Sequence, residues 1–227
     1  MSAAEKLQQE FNDWAEQGRG DEMERHHMPI FEPTLPMMNV GPNDRVLDLG
    51  CGSGWATRLV AQRFHPKKIV GIDISDEMVR RAEEQSKGLG NIEFKHGAAE
   101  KIPALDASFE KIFSIESFYY WPDQVMGLNE AKRVLAPGGK LFILINLYKD
   151  NHYSLRWADE LKVPVHALSE AEYIDLLMKA GFTNVEAKRI PDSSPTPDEY
   201  SGKWFKNAKE LREFKQIGAL LLIAARP

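Results

Sequence analysis

A doubly wound α/β fold, with a mostly parallel sheet carrying helices on both faces, is what the sequence predicts, and three observations predict it. Strand-like apolar runs alternate with amphipathic helical patterns through the first two thirds of the chain. The runs are nearly continuous in apolar and β-branched residues, as in strands covered on both faces. The first ends in an acidic residue and falls into alternating glycines, "RVLDLGCGSGW" at residues 45–55. Sheets of this kind bind ligands there, beyond the carboxyl end of a strand.

The elements follow in order. The first strand is Arg45 to Leu49, and "WATRLVAQRF" after the glycines is a helix with one core-facing side. The second strand, Lys68 to Ile74, leads into "SDEMVRRAEEQSKG", where Ser75 caps a helix, Asp76 and Glu77 fill its first turn and Gly88 ends it. Strands at Ile92 to Lys95 and Lys111 to Ile115 come next. A helix from Asp123 to Leu135 stops at the turn "PGG", and Lys140 to Leu147 is the fifth strand. Right-handed crossovers join them. The clearest helix is "SEAEYIDLLMKAG", with Ser169 and Glu172 as a capping box, an apolar stripe at Tyr173, Leu176, Leu177 and Ala180, and Gly181 as its stop. Strands at Asn184 to Ile190 and Ala219 to Ala225 complete a set of seven, separated by "PDSSPTP" and an aromatic, helical segment around "EYSGKWFKNAKELREF".

At the amino end Leu7, Phe11 and Trp14 share a helical face, and a Met/His/Pro-rich stretch continues to about Met38. This flank stands outside the alternation. The predicted organisation is therefore a helical lid over residues 1–40, with Gly18 and Gly20 as hinges, and a ligand-binding domain over 41–227 with insertions at about 149–166 and 191–214.

Composition limits the function classes. At 227 residues and 43% hydrophobic the chain buries one ordinary core. A net charge of −5 gives no electrostatic excess for a polyanion, so nucleic acid is not an expected partner. One cysteine forms no intrachain disulfide, and "MSAAEKLQQEFNDW" is amphipathic rather than a signal peptide, so a cytoplasmic location is expected. The longest apolar runs, "KLFILINL" and "GALLLIAA", are too short to span a bilayer. His26 and His27 are adjacent and point differently, without a second ligand cluster, so no metal is expected. Cys51 is expected to pack inside the loop.

At the loop, Gly50, Gly52 and Gly54 allow backbone conformations closed to other residues and a close ligand approach. Asp48 can accept from an ammonium-bearing group, or cap a turn. Asp73, about 20 residues on, stands where an acidic residue reads a ribose, although it could also serve as a helix cap. The combination suits an adenosine-containing cofactor. The glycines follow G-x-G-x-G with an acid two positions ahead, whereas the dinucleotide fingerprint is G-x-G-x-x-G.

Five segments in order, "VLDLGCGSGW", "VGIDIS", "GAAEKIP", "FEKIFSIESFYYWPD" and "AKRVLAPGGKLFILI", span roughly residues 44–147. Together they resemble the motifs of class I S-adenosylmethionine-dependent methyltransferases, in the branch of the ubiquinone-biosynthesis and type 11 enzymes, which act mostly on small molecules. The resemblance implies a seven-stranded, Rossmann-like sheet with an antiparallel final strand and S-adenosyl-L-methionine as cofactor, leaving S-adenosyl-L-homocysteine as product. It assigns Gly50, Gly52 and Gly54 to the methionine end, Asp48 to the amino group or the loop, and Asp73 to the ribose hydroxyls. Ile74 would pack on the adenine, Ala99 would offer its backbone to the adenine edge, and Ile115 would line the wall near the sulfonium. Ala98 stands where many relatives carry Asp, which leaves that contact to Glu100 or a water.

The implied reaction is in-line methyl transfer to an oxygen, nitrogen or carbon nucleophile of a small molecule, with alignment carrying much of the barrier and a base aiding some acceptors. Glu116, Tyr119 and Tyr120 are the catalytic candidates, although "FYYW" also reads as a core aromatic cluster. Trp14, His27, Tyr119, Tyr120, His152 and Tyr153 are candidates for the acceptor site. A nucleic-acid amino-methyltransferase would carry an Asn/Asp-Pro-Pro-aromatic motif where this chain reads "SIESFYY", and a C5-cytosine enzyme needs a thiolate, whereas Cys51 lies in the cofactor loop. An NAD-dependent oxidoreductase shares the half-fold but not the "LAPGGKLFI" turn and strand. A non-catalytic cofactor sensor or scaffold is compatible with "GAAE". Neither acceptor nor oligomeric state is legible, although the aromatic segment near Trp204 offers an interface.

Overall fold

Seven strands hydrogen-bond into one sheet in the computed structural model, which describes residues 2–227. In chain order they are β1 (Arg45–Leu49), β2 (Lys68–Asp73), β3 (Ile92–His96), β4 (Phe109–Ile115), β5 (Leu135–Ile145), β6 (Thr183–Ile190) and β7 (Ala219–Ala225). In space they lie β3-β2-β1-β4-β5-β7-β6. β1 to β5 pair in parallel, and β7 runs antiparallel between β5 and β6. The order reverses between β1 and β4, which places the topological switch point, where open sheets bind ligands, beyond their carboxyl ends. β5 begins before the turn that was expected to precede it. Its Leu135 already pairs with Phe109, Ala136 to Gly139 loop out of the ladder, and pairing resumes at Lys140.

Helices α4 (Trp55–Phe64), α5 (Asp76–Gln85), α6 (Gln124–Val134) and α8 (Glu170–Lys179) occupy the ranges their patterns indicate. Ser75 accepts from the Met78 amide at 3.0 Å and Ser169 with Glu172 closes a capping box, as predicted, whereas α5 ends at Gln85 with Ser86 as its cap, ahead of the Gly88 expected to stop it. A short α7 (Leu155–Ala158) follows β5, and α9 (Ala208–Ile217) is the only helical part of the aromatic segment before β7.

The amino-terminal flank holds more structure than its sequence suggests. α1 (Ala3–Glu16) carries Leu7, Phe11 and Trp14, and the Met/His/Pro-rich stretch folds as α2 (Arg19–Phe31), a single 3-10 turn at Glu32–Thr34, and α3 (Leu35–Met38). Prolines hide it. Pro29 sits in the last turn of α2, where its missing N–H removes one bond, and Pro33 and Pro36 open the two short elements, a position proline tolerates. Gly18 turns the chain in the left-handed region at φ +74°. Gly20 lies inside α2, where an added Cβ would come within 2.9 Å of the Ser53 side chain, so it permits close packing on the glycine loop rather than serving as a hinge.

Two large apolar clusters and two small ones form among the described residues. One large cluster joins Leu47, Ile112, Phe118 and Ile143 with α6 and α8. The other joins Val46, Ile69, Phe113 and Leu144 with α4 and with Ile30, Phe31, Leu35, Met38 and Val40. Phe31 is buried at 1% exposure, with ring centroids 5.6 Å from both Trp55 and Phe113. Ile30, Phe31, Leu35, Met38 and Val40 of the expected lid therefore pack into the core beside the sheet. Met1 of that expected lid lies outside the described residues.

Truncating Phe31 removes a ring from the centre of this cluster. Phe31→Ala is expected to cost about 3–5 kcal/mol of stability in urea unfolding, and a loss below 1 kcal/mol would show that the flank packs only peripherally.

Candidate functional site

The site begins where β1 enters the glycine loop. The amides of Gly50 and Cys51 both donate to the carbonyl of Ile72, at 2.8 and 3.0 Å, which ties the loop to the neighbouring strand. Asp73 completes the anchor: its carboxylate accepts from the Gly52 amide at 2.8 Å and the Ser75 amide at 2.9 Å. The three glycines serve different purposes. All have positive φ, but only Gly52 (φ +52°) has nothing within 4 Å of a built Cβ, so it alone presents open space. A Cβ on Gly50 would lie 2.0 Å from Ser117 Oγ, and one on Gly54 would strike the Phe94 ring at 2.6 Å. Gly54 thus answers to packing and to the start of α4, and stands outside the cavity lining.

A cavity of ≈ 790 Å³ opens above the loop, in the range of small-molecule sites. Its floor is Gly50, Cys51, Gly52, Ser53 and Asp73, and one wall is the end of β4 with Ile115, Glu116, Ser117, Tyr119 and Tyr120. α1 and α2 supply Phe11, Trp14, Met23 and His27, α7 after β5 supplies Trp157, and the segment between β6 and β7 supplies Tyr200, Trp204, Phe205, Leu211 and Phe214. A narrow side slot of ≈ 40 Å³ shares Gly50 and Asp73 with it and is lined by Ile74, Ala99 and Glu100, with Leu7 and Phe11 of α1 as its cover. Ala98 lies outside both spaces, in an isolated bridge with Lys101. Glu100 accepts from the Asp123 amide at 3.0 Å.

Buried acids surround the loop. Asp48, 1% exposed, lies beneath the loop rather than on the cavity surface and accepts from Thr57 Oγ1 at 2.6 Å. Burial pushes its carboxyl up to about 7, against the Thr57 hydrogen bond and with help from Asp73. Burial also raises Asp73, opposed by the Ser75 and Gly52 amides. Glu116 follows β4 with φ +52°, a left-handed conformation uncommon outside glycine. Its carboxylate accepts from the Asn146 amide and, at 3.0 Å, from the Tyr119 hydroxyl; burial pushes it to about 7 against both.

Trp14 and Tyr120 meet edge to face at 6.3 Å, each also against Phe11, and Trp14 Nε1 donates to Glu10 at 2.8 Å. Burial, with the charge of His26, lowers His27 to about 3, so it stands in the wall as a neutral imidazole. His152 and Tyr153 are not in the wall. Tyr153 is buried behind it, its ring 6.4 Å from Phe205 and its hydroxyl donating to Glu213, with His152 packed on it at 4.1 Å. The aromatic density of the insertions was the available signal for the residues that do line the cavity. Arg19, whose guanidinium lies 4.9 Å over the Trp14 ring, had none.

Comparison with known proteins agrees with this geometry. A family model described as a methyltransferase domain matches residues 47–143. A 2-methyl-6-phytyl-1,4-hydroquinone methyltransferase of Oryza sativa subsp. japonica is 33% identical over 64% of this chain and 41% of its own length. A phthiotriol/phenolphthiotriol dimycocerosates methyltransferase of Mycobacterium tuberculosis is 28% identical over 76% and 63%. The chain thus spans less than half of the rice relative. Among solved structures, the chain assigned as a methyltransferase in a complex with the Haloferax volcanii Trm112 methyltransferase activator superposes with a TM-score of 0.91, at 30% identity over 96% of this chain and 98% of that one.

The raised Asp48 fixes a sign for pH dependence. A carboxyl whose folded value lies above its unfolded one favours the protonated folded form, so its cost grows as pH rises from about 4 to about 7. His27 works oppositely, since its lowered value gives stability that is lost as pH falls from 6.5 toward 3. Asp48→Asn, which can still accept from Thr57, isolates the first effect. The variant is expected to gain stability relative to the parent as pH rises from 4 to 8 in urea unfolding, and a difference constant with pH contradicts this account.

Proposed function

The chain belongs to the class I S-adenosylmethionine-dependent methyltransferases, type 11 branch, and from that premise we propose that it transfers a methyl group to a small, largely apolar acceptor by in-line displacement. One observation carries the reading: the glycine loop and Asp73 open into the same cavity as an aromatic wall drawn from α1, β4 and the insertions. Bound S-adenosylmethionine supplies a methyl group already activated by a positive sulfur. The residues present fit that group. Gly52 leaves open space beside its backbone, Asp73 is buried where ribose hydroxyls would reach it, and Ile74, Ala99 and Glu100 converge on the slot for the adenine edge.

The chain's own work in this reading is binding, orientation and exclusion of water, from which much of the acceleration of such a transfer can come. α1 has the central part. Its Gln8 donates to Asp76 at 2.9 Å, its Asn12 accepts from Ser75 Oγ at 2.6 Å, and its Leu7 and Phe11 cover the slot. It acts as a lid hinged at the Gly18 turn, while Ile30, Phe31, Leu35, Met38 and Val40 stay in the core. The acceptor rests on the aromatic wall. The acceptors in the names of the rice and mycobacterial relatives, a phytyl hydroquinone and phthiotriol or phenolphthiotriol dimycocerosates, pair hydroxyl groups with apolar bodies and support this choice.

A second feature of the comparisons supports a partner. The Haloferax relative matches nearly end to end and is solved with the Trm112 activator, so we propose that this chain also works with a small activator protein. Co-expression with a Trm112 protein is expected to yield a stable one-to-one complex by size-exclusion chromatography, and separate elution removes the proposal.

Calorimetry tests the cofactor. S-adenosylmethionine and S-adenosylhomocysteine are expected to bind at about micromolar Kd (about −8 kcal/mol), with NAD and NADP not binding; the reverse order sinks the reading. Asp73→Ala should weaken binding by about 1–3 kcal/mol through a lost charge-assisted hydrogen bond. Gly52→Val should abolish it while circular dichroism stays unchanged. Labelled cofactor with hydroquinones, long-chain alcohols and amines then identifies the acceptor class.

A further inference from the structure

We propose that Glu116 is the catalytic base of this site, held in place by Tyr119, and that the acceptor therefore presents an ionisable hydroxyl to it. The inference rests on the methyl-transfer reading above and deepens it. Glu116 lines the cavity beside Ser117 and Gly50, at the carboxyl end of β4, where the ligand-facing ends of the parallel strands converge. Two features disfavour a glutamate there on structural grounds alone. Its backbone holds φ +52°, and its carboxylate is buried with no Lys, Arg or His paired to it among the described residues. Glycine would relieve the first and an apolar residue the second.

The surroundings hold the residue in that state. The Glu116 amide donates to Leu144 at 2.8 Å, continuing the β4–β5 ladder, and the Asn146 amide donates back to Oε1. Tyr119 donates to Oε2 at 3.0 Å, and the single turn carrying it is fixed from outside by the His166 amide, which donates to the Tyr119 carbonyl at 2.7 Å. Strained backbone and an unpaired buried acid, both maintained by their neighbours at a cavity wall, are the marks of a group kept for chemistry.

The step balances as follows. With S-adenosylmethionine bound, the acceptor O–H proton would pass to the Glu116 carboxylate, the freed oxygen pair would form the new O–CH3 bond, and the electrons of the broken S–CH3 bond would stay with sulfur, cancelling its positive charge. The proton later leaves Glu116 for solvent. Tyr119 and Tyr120 from the turn after β4 and Tyr173 from α8 feel the Glu116 charge, and Glu10 of α1 and Arg19 of α2 act on Tyr120 beside it. Burial raises all three tyrosines above their usual range, so they stay neutral where Glu116, at about 7, changes charge.

The test uses the full chain, labelled S-adenosylmethionine and 4-octylphenol as the acceptor probe. The wild-type rate should rise with pH as Glu116 loses its proton, with a midpoint no higher than about 7 because the bound sulfonium favours the carboxylate, and then level. Glu116→Gln should lower it about 10²- to 10⁴-fold and remove the pH dependence, with S-adenosylhomocysteine affinity within about threefold of the parent. An NMR titration of glutamate carboxyl carbons, assigned through the same variant, should place Glu116 near 7, and Tyr119→Phe should move it upward because a donor to the charged form is lost. Retained activity in Glu116→Gln, a rate loss matched by lost cofactor affinity, or a Glu116 titrating with ordinary carboxylates overturns the proposal. A wild-type chain that binds S-adenosylhomocysteine but does not methylate the phenol overturns the hydroxyl acceptor alone, whereas one that binds no cofactor overturns the methyl-transfer reading itself.

Discussion

One carbonyl organises the site. The Ile72 oxygen accepts from two successive amides, Gly50 and Cys51, and the next carboxylate along β2, Asp73, takes the Gly52 amide. The loop after β1 is therefore fixed by β2, two strands that parallel pairing already aligns from Arg45↔Lys68 to Leu49↔Ile72. The left-handed glycines are required by this clamp, since a chain turning back over its neighbour at such short range passes through conformations closed to other residues. α4 starts immediately after it, and Gly20 of α2 packs on the loop at Ser53.

The acids around the clamp give the site its electrostatic character. Asp48, Asp73 and Glu116 are all buried, and burial drives each of them toward the neutral form, because a carboxylate removed from water loses its solvation. Such a cluster resists strong ionisation when empty and gains from a cationic ligand, which would restore the charged forms. A sulfonium with an ammonium group is such a ligand.

The aromatic end of the cavity follows another logic. Its wall combines α1, the turn after β4 and the segment between β6 and β7, pieces held together by aromatic contacts such as Phe11 with Tyr120 at 5.0 Å and Phe205 with Phe214 at 5.1 Å. Aromatic rings cover large areas with few rotatable bonds, which suits a wall built from irregular segments. Ion pairs such as Lys203–Glu160 at 2.5 Å and Lys215–Asp192 at 3.5 Å neutralise two lysines that line the cavity.

The sequence by itself determined the sheet and the cofactor loop. Strands covered on both faces must be continuous apolar runs, and β1 and β7 match those runs to the residue. A loop that binds through its backbone must be written in glycine, and the spacing to Asp73 is local enough to read. Tertiary structure alone decided the rest. The prolines of residues 29–36 concealed helices that packing on Phe113 and Trp55 sustains, and Gly54 answers to Phe94, a contact between residues 40 apart in the chain. Tyr153 and Phe205 are equally aromatic in sequence, yet one is behind the wall and the other in it. Which ring meets a ligand depends on how separate elements converge, and no local pattern carries that information. The buried state of Glu116 arises the same way, from Asn146 and Tyr119 closing on it across the end of the sheet.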